Sequence, residues 1–151
     1  MSVYDKLREL KIELPAVSRP AAAYVMAAPG GGLVFVSGHI ARRDGKVVTG
    51  KLGAELTTEQ GKVAARGIAV DMMATLHDFL GDLGRVRRIV KVMCLVSSTT
   101  EFTEAHLVAN GCSELLLEVF GEAGRHARSA FSVAQIPLGS CVEIEMVVEA
   151  A

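Results

Sequence analysis

Near the end of the chain Val142, Ile144, Met146 and Val148 alternate with Cys141, Glu143, Glu145 and Val147, a period of two that assigns side chains to the two faces of a strand. The same signal, less regular, recurs upstream. Residues 33–38 read as a strand preceded by Ala23-Tyr24-Val25-Met26 and the turn Pro29-Gly30-Gly31-Gly32, so a strand, turn, strand pattern is predicted. The run 89–96 is nearly continuous in apolar residues, which suits a central strand covered on both faces. Two closing strands are predicted over 129–135 and 141–149. Asp44-Gly45 marks a tight turn between short polar strands.

Helical spacing fills the gaps. Thr57 followed by Gln60 forms a capping box that starts a long helix running to about Leu80, with Val63, Gly67, Val70, Ala74 and Leu80 at helical spacing and Gly81 beyond its end. Ser98 with Glu101 caps a second predicted helix, interrupted at Asn110-Gly111 and stopped at Gly121. Residues 2–10 read as a short amphipathic helix, with Val3, Leu7 and Leu10 on one side, within an N-terminal extension over 1–20. The order is hairpin, helix, strand, helix, strand, strand, an α+β layer with both helices on one face of a small sheet. The other face is then too hydrophobic for water, and a second copy of the chain is its economical cover, so a homo-oligomer packed through sheet faces is expected.

Composition narrows the function. A chain of 151 residues, half of them hydrophobic, is one domain with ample core material. A net charge of −1 gives no general field for a phosphate backbone, so nucleic-acid binding would need the local basic patch of Arg85, Arg87, Arg88 and Lys91, which reads as a solvated strand start. Cys94, Cys112 and Cys141 are isolated and read as buried reduced thiols. The four histidines, His39, His77, His106 and His126, show no metal-ligand spacing, so no metal is expected. The three glycines at 30–32 lack the Gly-Lys-Ser/Thr ending of a phosphate loop. With no leader and no apolar run of membrane length, a soluble, cytoplasmic protein is expected.

The candidate chemistry lies in Arg125-His126-Ala127-Arg128-Ser129-Ala130 and in the strand bearing Glu143 and Glu145. A guanidinium at a strand mouth holds a small carboxylate by two parallel hydrogen bonds, and a strand glutamate can position or deprotonate a water. On this reading the fixed positive charge stands beside the strand carboxylates.

Taken in order, Tyr24, Val36-Ser37-Gly38-His39-Ile40, the helix-strand-helix middle, Ala127-Arg128-Ser129, Ile136-Pro137 and Val142-Glu143-Ile144-Glu145 resemble the YjgF/RidA family of imine and enamine deaminases. The match spans residues 24–148. The resemblance implies a chorismate-mutase-like α+β fold and a homotrimer whose sheets form a central barrel, with ligand clefts between subunits. It also implies hydrolysis of 2-imino acids without a cofactor. Its carboxylate-binding arginine falls on Arg128 and its water-positioning glutamate on Glu143; Tyr24, Ser37, Gly38, His39 and Ala130 fall on substrate-contacting positions. Three positions depart from the family pattern, Ala130 standing for a cysteine, His39 for a glutamine and His126 for a proline. With the N-terminal helix these mark a divergent branch. For His39 two roles stand open, an added acid or base and a hydrogen bond to a loop. Three functions stand open for the chain: imine hydrolysis, binding of small carboxylate or keto-acid metabolites without turnover, and an endoribonuclease or translation-inhibitor role, which the mildly acidic composition supports poorly.

Overall fold

A computed structural model describes residues 1–151. The elements run α1 (Val3–Glu9), β1 (Ala27–Gly30), β2 (Leu33–Ile40), β3 (Arg42–Arg43), β4 (Lys46–Val47), α2 (Thr58–Leu80), β5 (Val86–Ser97), α3 (Ala105–Phe120), β6 (Ala127–Val133) and β7 (Val142–Ala150). Glycine chemistry sets the first turns: Gly31 and Gly32 take φ of 59° and 79°, the left-handed pair that closes a two-residue hairpin between β1 and β2. Asp44 and Gly45 do the same between β3 and β4.

The main sheet has the order β1-β2-β7-β5-β6, antiparallel except for the parallel pair β5 and β6. The alternation in β7 is realised: Val142, Ile144, Met146 and Val148 are all buried beneath the helices. Val36 and Val92 flank Met146 on the two neighbouring strands, while Cys94 flanks Ile144, so the inner face is one apolar layer. α2 lies over β2 and β7, and α3 over β5 and β6. One core cluster of 31 buried residues runs through both layers.

On the opposite face, β7 presents Glu143, Glu145 and Val147, with Leu95 and Met93 of β5 beside the two glutamates. Phe35 and Phe131 stand on that face 49% and 46% exposed. The expectation that β5 is covered on both faces is therefore met on one face only within the chain. No helix is long and apolar enough to cross a membrane.

The helices correct the sequence reading in three places. The capping box at Thr57 and Gln60 forms as expected, and Gly81 ends α2 with φ 79°. The buried stripe of α2, however, centres on Ala65, Ile68, Ala69, Met72, Met73 and Leu76; of the expected series Ala74 and Leu80 are buried, Gly67 and Val70 lie on the flank and Val63 is exposed. The second helix does not begin at Ser98, whose hydroxyl donates to the Thr99 carbonyl, but at Ala105, after Glu104. Nor does it break at Asn110-Gly111. Gly111 lies where α3 touches α2, and a Cβ there would sit 2.0 Å from the Lys62 carbonyl oxygen. Glycine here permits close approach of two helices rather than a stop. β6 begins and ends two residues earlier than expected.

The N-terminal helix is docked. Its own capping box pairs Ser2 with Asp5, Leu7 enters the core, and the Tyr4 hydroxyl accepts from the Leu83 N–H at 2.8 Å while lying 2.9 Å from His77 Nδ1.

Candidate functional site

The ladder between β2 and β7 contains one irregularity. Val36 pairs with Met146 and His39 with Ile144, so three steps on β2 face two on β7, and Ser37-Gly38 form a β-bulge. The bulge organises a corner. Ser37 donates its N–H to the Met26 carbonyl (2.9 Å) and its hydroxyl to the Val25 carbonyl (2.6 Å), which pins the irregular strap carrying Tyr24 onto β2. Tyr24 itself is 45% exposed.

Gly38 gives Glu143 its seat. A Cβ at position 38 would lie 3.0 Å from the Glu143 carboxyl carbon, so the carboxylate occupies space that only glycine leaves free. Burial, then the like charge of Glu145 two residues on, raises the Glu143 pKa above the ordinary carboxylate value. A raised pKa suits a group that must both take and return a proton.

His39 is 4% exposed and uses both ring nitrogens internally. The Ser37 carbonyl, 2.6 Å from Nδ1, can only accept, so the ring proton sits on Nδ1 and Nε2 faces the Thr75 hydroxyl at 2.8 Å. Burial lowers its pKa, which keeps the ring neutral. Neither ring nitrogen is left free for the acid or base role, and the bonds run to its own strand and to α2 rather than to a loop.

Tyr24, Gly38, His39 and Glu143 line one cleft of about 350 Å³. Three charged residues that sequence reading missed line it too: Arg19, Arg42 and Asp71. Asp71 is half-buried on α2, one turn before Thr75, and burial raises its pKa. An acidic residue abutting the buried stripe of α2 was the available signal. Leu138, at φ 60°, stands exposed on the rim.

Arg128 is elsewhere. On β6 it pairs with Val92, whose side chain is buried under the helices, so Arg128 points to the helical face, while Glu143 points to the open face with β5 between their strands. The expected juxtaposition of Arg128 and Glu143 is thus not made within one chain. Ala130, beside Cys94, shares the Arg128 side of the sheet.

Around Arg128 the contacts are all to neutral acceptors. One Nη1 hydrogen goes to Asn110 Oδ1 (2.8 Å), the other to Ser113 Oγ (3.2 Å), and one Nη2 hydrogen to the His106 carbonyl (3.0 Å). Those three acceptors lie on α3, which holds the guanidinium like a splint and leaves Nε–H and one Nη2–H free. No carboxylate pairs with it in the chain. Asn110 and Ser113 were invisible as site residues, although a polar pair three apart on an apolar helix is a usable signal. An open hollow of about 280 Å³ beside Arg128 is lined by Ser113, Arg125 and His126.

All three cysteines are buried and free, with burial pushing Cys94 up to about 12. No three His, Cys, Asp or Glu side chains converge on a common metal position. Within the basic patch, Arg85 donates to the Ala151 and Leu80 carbonyls and Lys91 to Ser129 Oγ.

The family profile described as YjgF/chorismate_mutase-like, putative endoribonuclease, matches residues 5–150. A Trypanosoma cruzi protein named TCP17 is 47% identical over 149 residues, covering 97% of this chain and 93% of the relative. The crystal structure of Atu1372 from Agrobacterium tumefaciens, a protein described as of unknown function, superposes with a TM-score of 0.91 at 39% identity, covering 99% of this chain and 92% of the other. A structure from Shewanella oneidensis MR-1, described as a putative endoribonuclease, gives 0.95 at 29% identity, with 99% of each chain covered.

Proposed function

The chain belongs to the YjgF/RidA family, and from that premise we propose that it hydrolyses reactive 2-imino and enamine acids to 2-keto acids and ammonia, in the cytoplasm, at sites completed between the subunits of a homotrimer. One observation carries this reading: each chain holds two halves that cannot meet. A splinted guanidinium with free N–H groups and no carboxylate sits on one face, and a cleft with Tyr24, Gly38 and the pKa-raised Glu143 sits on the other. Packing one chain's open sheet face against another would cover Phe35 and Phe131, and β6, an edge strand within the chain, would then carry Arg128 to the border of a neighbouring subunit's cleft.

In such a site Arg128 fixes the substrate carboxylate by a two-point hydrogen bond. Glu143 takes a proton from a water as its oxygen bonds to the C=N carbon, and the proton passes to nitrogen. Collapse of the carbinolamine, its hydroxyl proton passing by way of Glu143 to the departing nitrogen, breaks the C–N bond and releases ammonia and the 2-keto acid. An imine is already electrophilic, so positioning plus proton transfer, the latter about 10²–10⁴-fold, suffices.

The test is keto-acid release from imines generated in situ by an amino-acid oxidase. Wild-type protein should accelerate it and Arg128→Ala should abolish the acceleration; an unchanged rate in that variant would remove the mechanism. A second reading, binding of keto acids without turnover, draws on Ala130 in place of the family's cysteine and on the inward commitment of His39. It requires keto acids to raise the melting temperature while no imine is consumed.

A further inference from the structure

His126 stands where the family pattern has proline, and its surroundings assign it a part. The Gly124 carbonyl, 2.7 Å from His126 Nδ1, can only accept, so Nδ1 carries the ring proton. Nε2 is then a lone pair, and it faces Ser113 Oγ at 2.8 Å. The Ser113 proton therefore points to His126, and its oxygen lone pairs are turned toward the Arg128 Nη1 hydrogen at 3.2 Å. Every donor and acceptor in the series from Arg128 through Ser113 and His126 to Gly124 has a defined direction. Burial and the neighbouring Arg128 lower the His126 pKa, in keeping with the neutral tautomer that this direction needs.

Without the imidazole the serine hydroxyl loses its reason to face outward. A helical serine then turns its proton to the carbonyl one turn back, as such side chains do, and its lone pairs swing off the guanidinium. Asn110 takes one Nη1 hydrogen and the His106 carbonyl one on Nη2; only Ser113 holds the second Nη1 hydrogen. Proline at position 126 would offer no such acceptor.

We propose that Ser113 and His126 are positioning residues that lock the plane of the Arg128 guanidinium through this directed series, presetting its free N–H edge for the substrate carboxylate. The inference rests on the deaminase or keto-acid-binding reading for its consequence, but not for its geometry. Locking the fork acts on ground state and transition state alike, so its loss raises KM and leaves kcat.

Wild type, Ser113→Ala, His126→Leu and His126→Gln are compared in three measurements: kinetics of imine hydrolysis, calorimetric affinity for pyruvate, and side-chain ¹⁵N spectra of Arg128 without ligand. In Ser113→Ala and His126→Leu, KM and the pyruvate Kd should rise about tenfold, the loss of one hydrogen bond to a charged group, with kcat within about twofold. His126→Gln, whose amide oxygen can take the serine proton, should restore both. Slow rotation of the Arg128 Nη groups should appear in wild type and His126→Gln and be lost in the other two. Equal behaviour of the Gln and Leu variants, or slow Nη rotation in all four proteins, overturns the inference. A wild type that neither consumes imine nor binds pyruvate sinks the functional reading instead, and the ligand-free spectra still decide this one.

Discussion

Replacing Gly38 by alanine should separate activity from stability. The added methyl would lie 3.0 Å from the Glu143 carboxyl carbon and 3.2 Å from its Cγ and Oε1. Carbon atoms prefer about 3.5–4.0 Å, so the carboxylate must retreat by about 0.5 Å or more. It can do so, because Glu143 is a flexible side chain on an open sheet face. Gly38 does not have positive φ, so alanine brings no backbone strain and stiffens the unfolded chain, a gain of about 0.4–1 kcal/mol that offsets the crowding. Stability should stay within about 1 kcal/mol of wild type by urea unfolding. The catalytic cost is larger: a 1 Å misplacement costs about 10²-fold, so half of that predicts a loss in kcat on the order of tenfold. Full activity in Gly38→Ala, with the fold intact, would refute the assignment of Glu143 as the group that handles water.

Other substitutions test the remaining geometry. Gly111→Ala places a methyl 2.0 Å from the Lys62 carbonyl oxygen, a clash with α2 backbone that outweighs the roughly 1 kcal/mol helix-propensity gain, and its melting temperature should fall by about 5–10 °C. Because Glu143 must be ionised to accept a proton and its pKa is raised, kcat/KM should fall on acidification above the ordinary carboxylate range; Glu145→Gln removes a like charge and should move that limb to lower pH. His39 has a depressed folded-state pKa, so its contribution is present above the unfolded value near 6.5 and is lost as pH falls through the folded value. His39→Gln should flatten part of that acid-side loss in unfolding titrations between about pH 7 and 5.

Local rules were legible wherever one residue decides one turn. The Thr57 capping box, the Gly81 stop, the Asp44-Gly45 turn and the β7 alternation all stand as read, whereas the first hairpin is shifted: its strand is Ala27–Gly30 rather than residues 23–26, and only Gly31-Gly32 of the expected Pro29–Gly32 turn lie outside the ladder. Reading failed where a residue serves a partner distant in sequence. Gly111 looks like a helix break until Lys62 is seen against it, and the apolar flank of α2 mimics a stripe because small residues surround its buried face. Arg128 and Glu143 were placed in adjacent strands of sequence; the insertion of β5 between β6 and β7 separates them, and the register that pairs Arg128 with Val92 and Glu143 with Leu95 puts them on opposite faces. Period two tells which residues share a face along one strand; it is silent on which strand comes next.

Within the chain β6 has a neighbouring strand on one side only, yet it bears the cation to which an organic acid would attach. Border strands are the first to fray, so solvent deuterium should enter the amides of 127–133 sooner than those of β5 or β7. An anion clasped by Arg128 while α3 clasps the same side chain would stitch that border down. At a hundredfold excess over Kd the stitch is worth about 2.7 kcal/mol, which makes occupancy of the site and closure of the sheet's outer margin a single equilibrium.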